Sequence, residues 1–129
     1  MVAEVFEFLS AGLERCAAAG IPRDRVLVDP GLGFAKDGEH NLTLLRELRQ
    51  LRQLGRPVVL GASRKRFLEP LLGGAAPANR LEGSLACVAV AVTNGAAVVR
   101  VHDVAESVRV ARVSRAIATG SEDWPAGTR

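Results

Sequence analysis

The chain has 129 residues, 48% hydrophobic and 24% charged, which suffices for one compact domain with a core. A net charge of +3 spread among acids, with 4% aromatics, lacks the basic stripe and stacking platforms of a nucleic-acid surface. No apolar run reaches the roughly 18 residues of a membrane span, and the start MVAEVFEFLSAGLER lacks the basic and apolar regions of a secretory signal.

Val2, Phe6, Leu9, Leu13 and Cys16 recur at helical spacing and predict an amphipathic helix over 2–19, stopped by Gly20. A short apolar strand follows at 25–28 and ends at Asp29. The glycine-rich loop DPGLGFAKDGEH occupies 29–40, and Leu44, Leu45, Leu48 and Leu51 predict a helix over 41–54. A second strand, 57–61, runs into Ala62-Ser63-Arg64-Lys65, with a short helix expected over 66–72. Residues 79–93 form an almost wholly apolar helix, which must be buried or sit in an interface. Its Gly83, Ser84, Ala86 and Ala89 allow another helix close approach, and Asn94-Gly95 end it. The third strand is 97–102. Asp103 and Glu106 have capping-box spacing at the head of a last helix, which has Val104, Val108, Ala111 and Arg115 along one side. An irregular tail is expected over 120–129.

This order is a helix followed by three strand–helix units, with strands apolar almost throughout, as in a parallel sheet covered on both faces. Charged residues gather at the C-terminal strand ends, where parallel α/β folds place their sites. Cys16 and Cys87 sit among Ala, Val and Leu and read as small buried hydrophobes of a reduced cytoplasm. Nothing has zinc-ligand spacing. Among 17 basic residues only Lys36 and Lys65 are Lys, which hints at positions that need a point-like ammonium.

Each strand end has two readings. Asp29 is a turn former, or an acceptor for the paired N–H groups of an amidine-like heterocycle. Ser63-Arg64-Lys65-Arg66 is a solvated basic loop, or a site whose crowded cations need an anion or electron-rich ligand. Arg100 and His102, two residues apart, point to one side of their strand. They form a phosphate clamp, or Arg100 pairs structurally with Asp103 or Asp29.

The segments VLVDPGLGFAK with EHNLTLLREL, VVLGASRKRFL, and RLEGSLACVAVAVTNGAAVVRVHDV resemble, in order and spacing, those of the dihydropteroate synthase family. The resemblance runs from about residue 3 to 118. It implies a partial TIM (β/α)₈ barrel over 1–119, namely the last three strand–helix units and the preceding helix. It also implies an activity: joining 6-hydroxymethyl-7,8-dihydropterin pyrophosphate to p-aminobenzoate, with sulfonamides as competitors. By resemblance, Asp29, Gly61, Lys65 and Arg100 bind the pterin, and Arg100 and His102 the pyrophosphate. Phe34, Ser63, Arg64 and Arg66 border the aminobenzoate, and Lys65, Arg100 and His102 serve the reaction. Arg66 stands where the family often has Ser; it either pairs with the aminobenzoate carboxylate or leaves that task to backbone N–H groups at a helix start. The resemblance further implies a homodimer and Mg²⁺, whose protein ligand lies in a segment preceding this chain. On this reading the chain is truncated and inactive alone, with Val26, Val28, Val59, Val99 and Val101 facing missing strands. The alternative is a non-catalytic pterin- or phosphate-binding partial barrel or assembly module.

Overall fold

The computed structural model describes residues 1–34 and 37–120. Lys36 and the tail from 121 onward lie outside the described residues.

Helix α1, Val2–Ala18, turns Leu13 into the core, with Val2, Val5, Phe6 and Leu9 packed beside it. Gly20 ends it as expected. Its φ of +78° suits glycine, and the amides of Gly20 and Ile21 take the carbonyls of Ala17 and Cys16.

The sheet is parallel and runs in chain order. The segment around Val28 bridges Val58, and β1 (Val59–Leu60) pairs with β2 (Val98–Val99) in the register Val59↔Val98 and Leu60↔Val99. The first strand is shorter than expected. Arg23–Arg25 form a 3₁₀ turn, and the carbonyl of Val26 is taken by Arg56 Nε at 2.9 Å, leaving Val28 as the bridging residue. The third strand is likewise only two residues long.

The helix expected over 41–54 is two elements. Helix α2 spans Gly38–Arg46, and Leu48–Leu54 are 3₁₀. The cause is Asn94. Its amide donates to the carbonyls of Leu45 (3.0 Å) and Arg46 (3.3 Å), acceptors that a continuing α-helix would use. The Gln50 amide turns instead to Glu47 O, one residue nearer. The short helix expected over 66–72 is two 3₁₀ turns, Arg66–Leu68 and Pro70–Leu72, since Pro70 has no N–H to continue an α ladder.

Helix α3, Leu81–Thr93, packs most extensively on α4, Val104–Thr119. Gly83 admits side chains and not a helix backbone: a Cβ there would stand 3.0 Å from Leu72 Cδ1. In α4 the buried residues are Ser107 and Ser114, whereas Val104, Val108, Val113 and Ile117 are exposed, so the expected stripe through Val104 and Val108 is not the packed face.

The core joins Leu44, Leu45, Leu48, Leu51 and Leu54 to Val58 and Leu60 of the sheet, with Leu32, Phe67, Leu68, Cys87 and Ala91 closing it. Val28 belongs to this core, 3% exposed, and so does not face an open side as expected. Val99, in register with Leu60, and Val26 also pack half-buried against this core and not toward an open side, whereas Val59 is half-buried on the opposite pleat. Cys87 is buried, and burial pushes its thiol up to about 11, which keeps it protonated and inert at neutral pH. Cys16 is half-buried, more open than its sequence setting suggested. Leu51 is fully buried, and Leu51→Ala is expected to destabilise the fold by about 2–5 kcal/mol in urea denaturation. A loss below about 1 kcal/mol would remove it from the core.

Candidate functional site

The loop after Val28 is shaped by its own polar atoms. Asp29 Oδ1 accepts the Gly31 amide at 2.8 Å, so part of its acceptor capacity serves the turn. Asn41, 1% exposed on α2, accepts the Gly33 amide at 2.6 Å and donates to Asp37 O at 2.6 Å. Gly33 has φ +79°, and a Cβ there would stand 3.1 Å from Lys65 Cδ. The glycine is therefore what lets the lysine lie across the loop. Lys65 Nζ donates to the Leu32 carbonyl and sits 4.8 Å from the centre of the exposed Phe34 ring.

At the end of β1 the chain kinks. Among the described residues Arg64 is the only non-glycine with positive φ, +59°. Its amide donates to Ser84 Oγ at 2.9 Å, and its carbonyl accepts from Arg80 Nη1 at 3.0 Å. Its guanidinium grips Asp103 at 2.6 and 3.2 Å in the two-point geometry that suits arginine. That bond holds the Asp103 carboxyl below its ordinary value and raises Arg64 in turn. Asp103 consequently makes no side-chain cap on α4, contrary to the capping-box spacing.

At the end of β2 the Arg100 amide donates to Leu60 O at 2.8 Å, completing the ladder. Its guanidinium lies over Gly61, where a Cβ would stand 3.1 Å from Nη2. The structural pairings considered for Arg100 are not made: Asp103 goes to Arg64, and Asp29 bonds within its own loop. His102 donates its amide to Ser63 Oγ at 3.2 Å, and its Nδ1 lies 3.0 Å from the same oxygen. Arg66 is exposed at the head of a three-residue 3₁₀ turn, where an α-helix was expected.

The structure thus brings together Lys65 with Leu32, Gly33 and Phe34, Arg100 with Gly61, His102 with Ser63, and Arg64 with Asp103. A cleft of about 620 Å³ opens between the first two strand ends, lined in part by Gly33, Phe34, Asn41, Lys65 and Arg66. Among the described residues no three His, Cys, Asp or Glu side chains gather to hold a metal ion.

Sequence reasoning missed Arg80, Ser84 and Asn41. Arg80 is 4% exposed, and besides Arg64 it bonds Ala75 O at 2.8 Å and Glu69 Oε2 at 2.6 Å. The signal was helical spacing: 80, 84, 87, 88 and 91 make one stripe, as do 41, 44, 45 and 48, each headed by a polar residue on a buried face.

Residues 1–102 match the family described as pterin binding enzyme. The chain belongs to that family. The Escherichia coli K12 dihydropteroate synthase is 40% identical over 121 residues, covering 94% of this chain and 43% of that relative. The crystal structure of the Yersinia pestis dihydropteroate synthase with a sulfonamide drug superposes with a TM-score of 0.89 at 38% identity, over 92% of this chain and 43% of that one. The Xanthomonas albilineans dihydropteroate synthase in complex with 7,8-dihydropteroate gives 0.88 at 42% identity, over 92% and 47%. The chain therefore spans under half the length of these family members, and its open sheet is consistent with a partial barrel. No helix among the described residues is long and apolar enough to cross a membrane.

The Arg64–Asp103 pair sets a pH dependence. Asp103 is held below its ordinary value, so the pair's stabilisation is complete above a free carboxylate's pKa of about 4 and is lost as pH falls through the lowered value. The stability gap between the native chain and Asp103→Asn should be constant above about pH 5 and close below about pH 4. Thermal melts across that range check it, and a gap unchanged by acid would contradict it.

Proposed function

We propose that residues 1–119 are the C-terminal part of a pterin-binding (β/α)₈ barrel, comprising its last three strand–helix units and the helix before them, and that the full-length protein is a dihydropteroate synthase of folate biosynthesis. The observation that carries this reading is the meeting of Lys65 with the 32–34 loop, Arg100 with Gly61 and His102 with Ser63 at successive parallel strand ends.

In the proposed reaction the amine nitrogen of p-aminobenzoate attacks the methylene carbon of 6-hydroxymethyl-7,8-dihydropterin pyrophosphate. The carbon–oxygen bond breaks, pyrophosphate leaves with the bonding pair, and the nitrogen loses a proton. Asp29 accepts the donor edge of the pterin, and Lys65 donates to its ring acceptors. Gly61, having no side chain, allows the ring to approach the backbone. Arg100 and His102 stabilise the charge growing on the leaving group, where preorganised donors lower a barrier most. Phe34, Ser63, Arg64 and Arg66 border the aminobenzoate and are the contacts with which a sulfonamide would compete. The rest of the rate comes from holding both reactants in line.

Any Mg²⁺ in this scheme takes its protein ligand from outside the chain. The whole protein is read as a cytoplasmic homodimer; the exposed Val104, Val113 and Ile117 of α4 supply an apolar face for the contact. The second reading is a partial barrel that binds pterin or phosphate without turnover.

A dihydropteroate assay on the 129-residue chain and on the full-length protein separates the two: the first should be inactive and the second active. Absence of product from both would leave the binding reading. In the full-length protein, Arg100→Ala should weaken the pyrophosphate-bearing pterin about ten- to a hundredfold, the scale of hydrogen bonds to a charged group. The plain hydroxymethyl pterin should change by no more than about threefold. Equal losses in calorimetry would make Arg100 a ring contact and not an anion clamp.

A further inference from the structure

We propose that Ser63 is the positioning residue for His102: its hydroxyl donates to Nδ1 of the imidazole and so leaves the ring proton on Nε2, as a donor for the leaving pyrophosphate. The inference deepens the synthase reading of this site and rests on it.

A serine hydroxyl has one proton and two lone pairs. Ser63 Oγ already accepts the His102 amide at 3.2 Å. The same oxygen lies 3.0 Å from His102 Nδ1, and among the described residues that nitrogen is the acceptor its own proton meets. A neutral imidazole accepting at Nδ1 carries its proton at Nε2. The two contacts also fix the ring to the backbone of its own residue, so the imidazole and the end of the strand move together.

Two features leave this task to Ser63. The carboxylate beside the histidine, Asp103, is the usual kind of partner for a ring N–H, but both its oxygens are engaged by Arg64 Nε and Nη2. Ser63 itself is buried, 8% exposed, between the end of β1 and the clamped kink at Arg64, whereas His102 is exposed. A fixed hydroxyl therefore orients an accessible ring, which is the arrangement that supports a preorganised donor. The serine of the Ser-Arg-Lys run thus acts through the histidine as well as bordering the aminobenzoate.

The imidazole ¹⁵N spectrum of the full-length protein at about pH 8, where a free histidine is neutral, tests the tautomer directly. His102→Gln assigns the signals. The expected result is a protonated Nε2 and a bare, hydrogen-bonded Nδ1; a proton on Nδ1 would overturn the proposal. Ser63→Ala should give mixed tautomers and lower the calorimetric affinity for inorganic pyrophosphate about tenfold, the loss of one aligned charge-assisted hydrogen bond. Ser63→Thr, which keeps the hydroxyl, should restore both. If Ser63→Ala fails to fold, Ser63→Cys, a much weaker donor of similar size, takes its place. Unchanged tautomer and unchanged affinity in the variant would also overturn the proposal. A wild-type protein with the Nε2–H tautomer but no pyrophosphate binding would uphold the Ser63–His102 bond and remove the synthase reading, so the two fail separately.

Discussion

The left-handed backbone at Arg64 is the constraint on which the strand ends depend. A bulky residue at φ +59° costs about 1–3 kcal/mol and persists only where its surroundings hold it. Here they hold it on every side. Ser84 takes the amide, Arg80 the carbonyl and Asp103 the guanidinium. Arg80 is itself buried, and its donors are shared among Arg64, Ala75 and Glu69. A buried arginine stripped of its partners would cost several kcal/mol, so the loop carbonyls and Glu69 are as necessary as the arginine.

The kink decides where its neighbours go. The residue before it, Ser63, stays buried at the end of β1 and meets His102; the residue after it, Lys65, crosses to the loop of the preceding strand. Three strand ends are thereby linked by side chains, even though the strands themselves are short. The helices contribute from below. Asn41 of α2 fixes the Gly33 amide, and α3 presents both Ser84 and, one residue ahead of its first turn, Arg80. Packing of Leu44, Leu48 and Leu51 against Val58 and Leu60 holds these helices in place, connecting the core to the site.

The parallel order of the three strands was legible because their apolar runs recur at the spacing of strand–helix units. The strand ends were legible because charge follows each run abruptly. The limits of the elements were not. Local periodicity continues from Leu45 to Leu51, but Asn94, almost fifty residues away in sequence, claims the carbonyls that would have continued α2. Asp103 and Glu106 have the spacing of a cap, yet a tertiary partner, Arg64, offers the carboxylate a stronger bond than the helix amides do. Arg80 and Asn41 escaped notice because a polar residue at the head of an apolar stripe resembles a solvated helix end until its partners are seen. The motif residues Lys65, Arg100 and His102 were visible as chemistry, whereas the groups that aim them were visible only as geometry.

Native-state hydrogen exchange of the full-length protein, with Arg80 replaced by the similarly long but apolar methionine, tests this account most directly. The amides of Arg64, Lys65 and His102 are bonded to Ser84 Oγ, Ala62 O and Ser63 Oγ, all within reach of the kink. If the clamp holds the strand ends, Arg80→Met should accelerate exchange at these three amides while amides of the Leu44–Leu51 region keep their protection. Unchanged protection at the three amides, or an equal loss throughout the core, would contradict it.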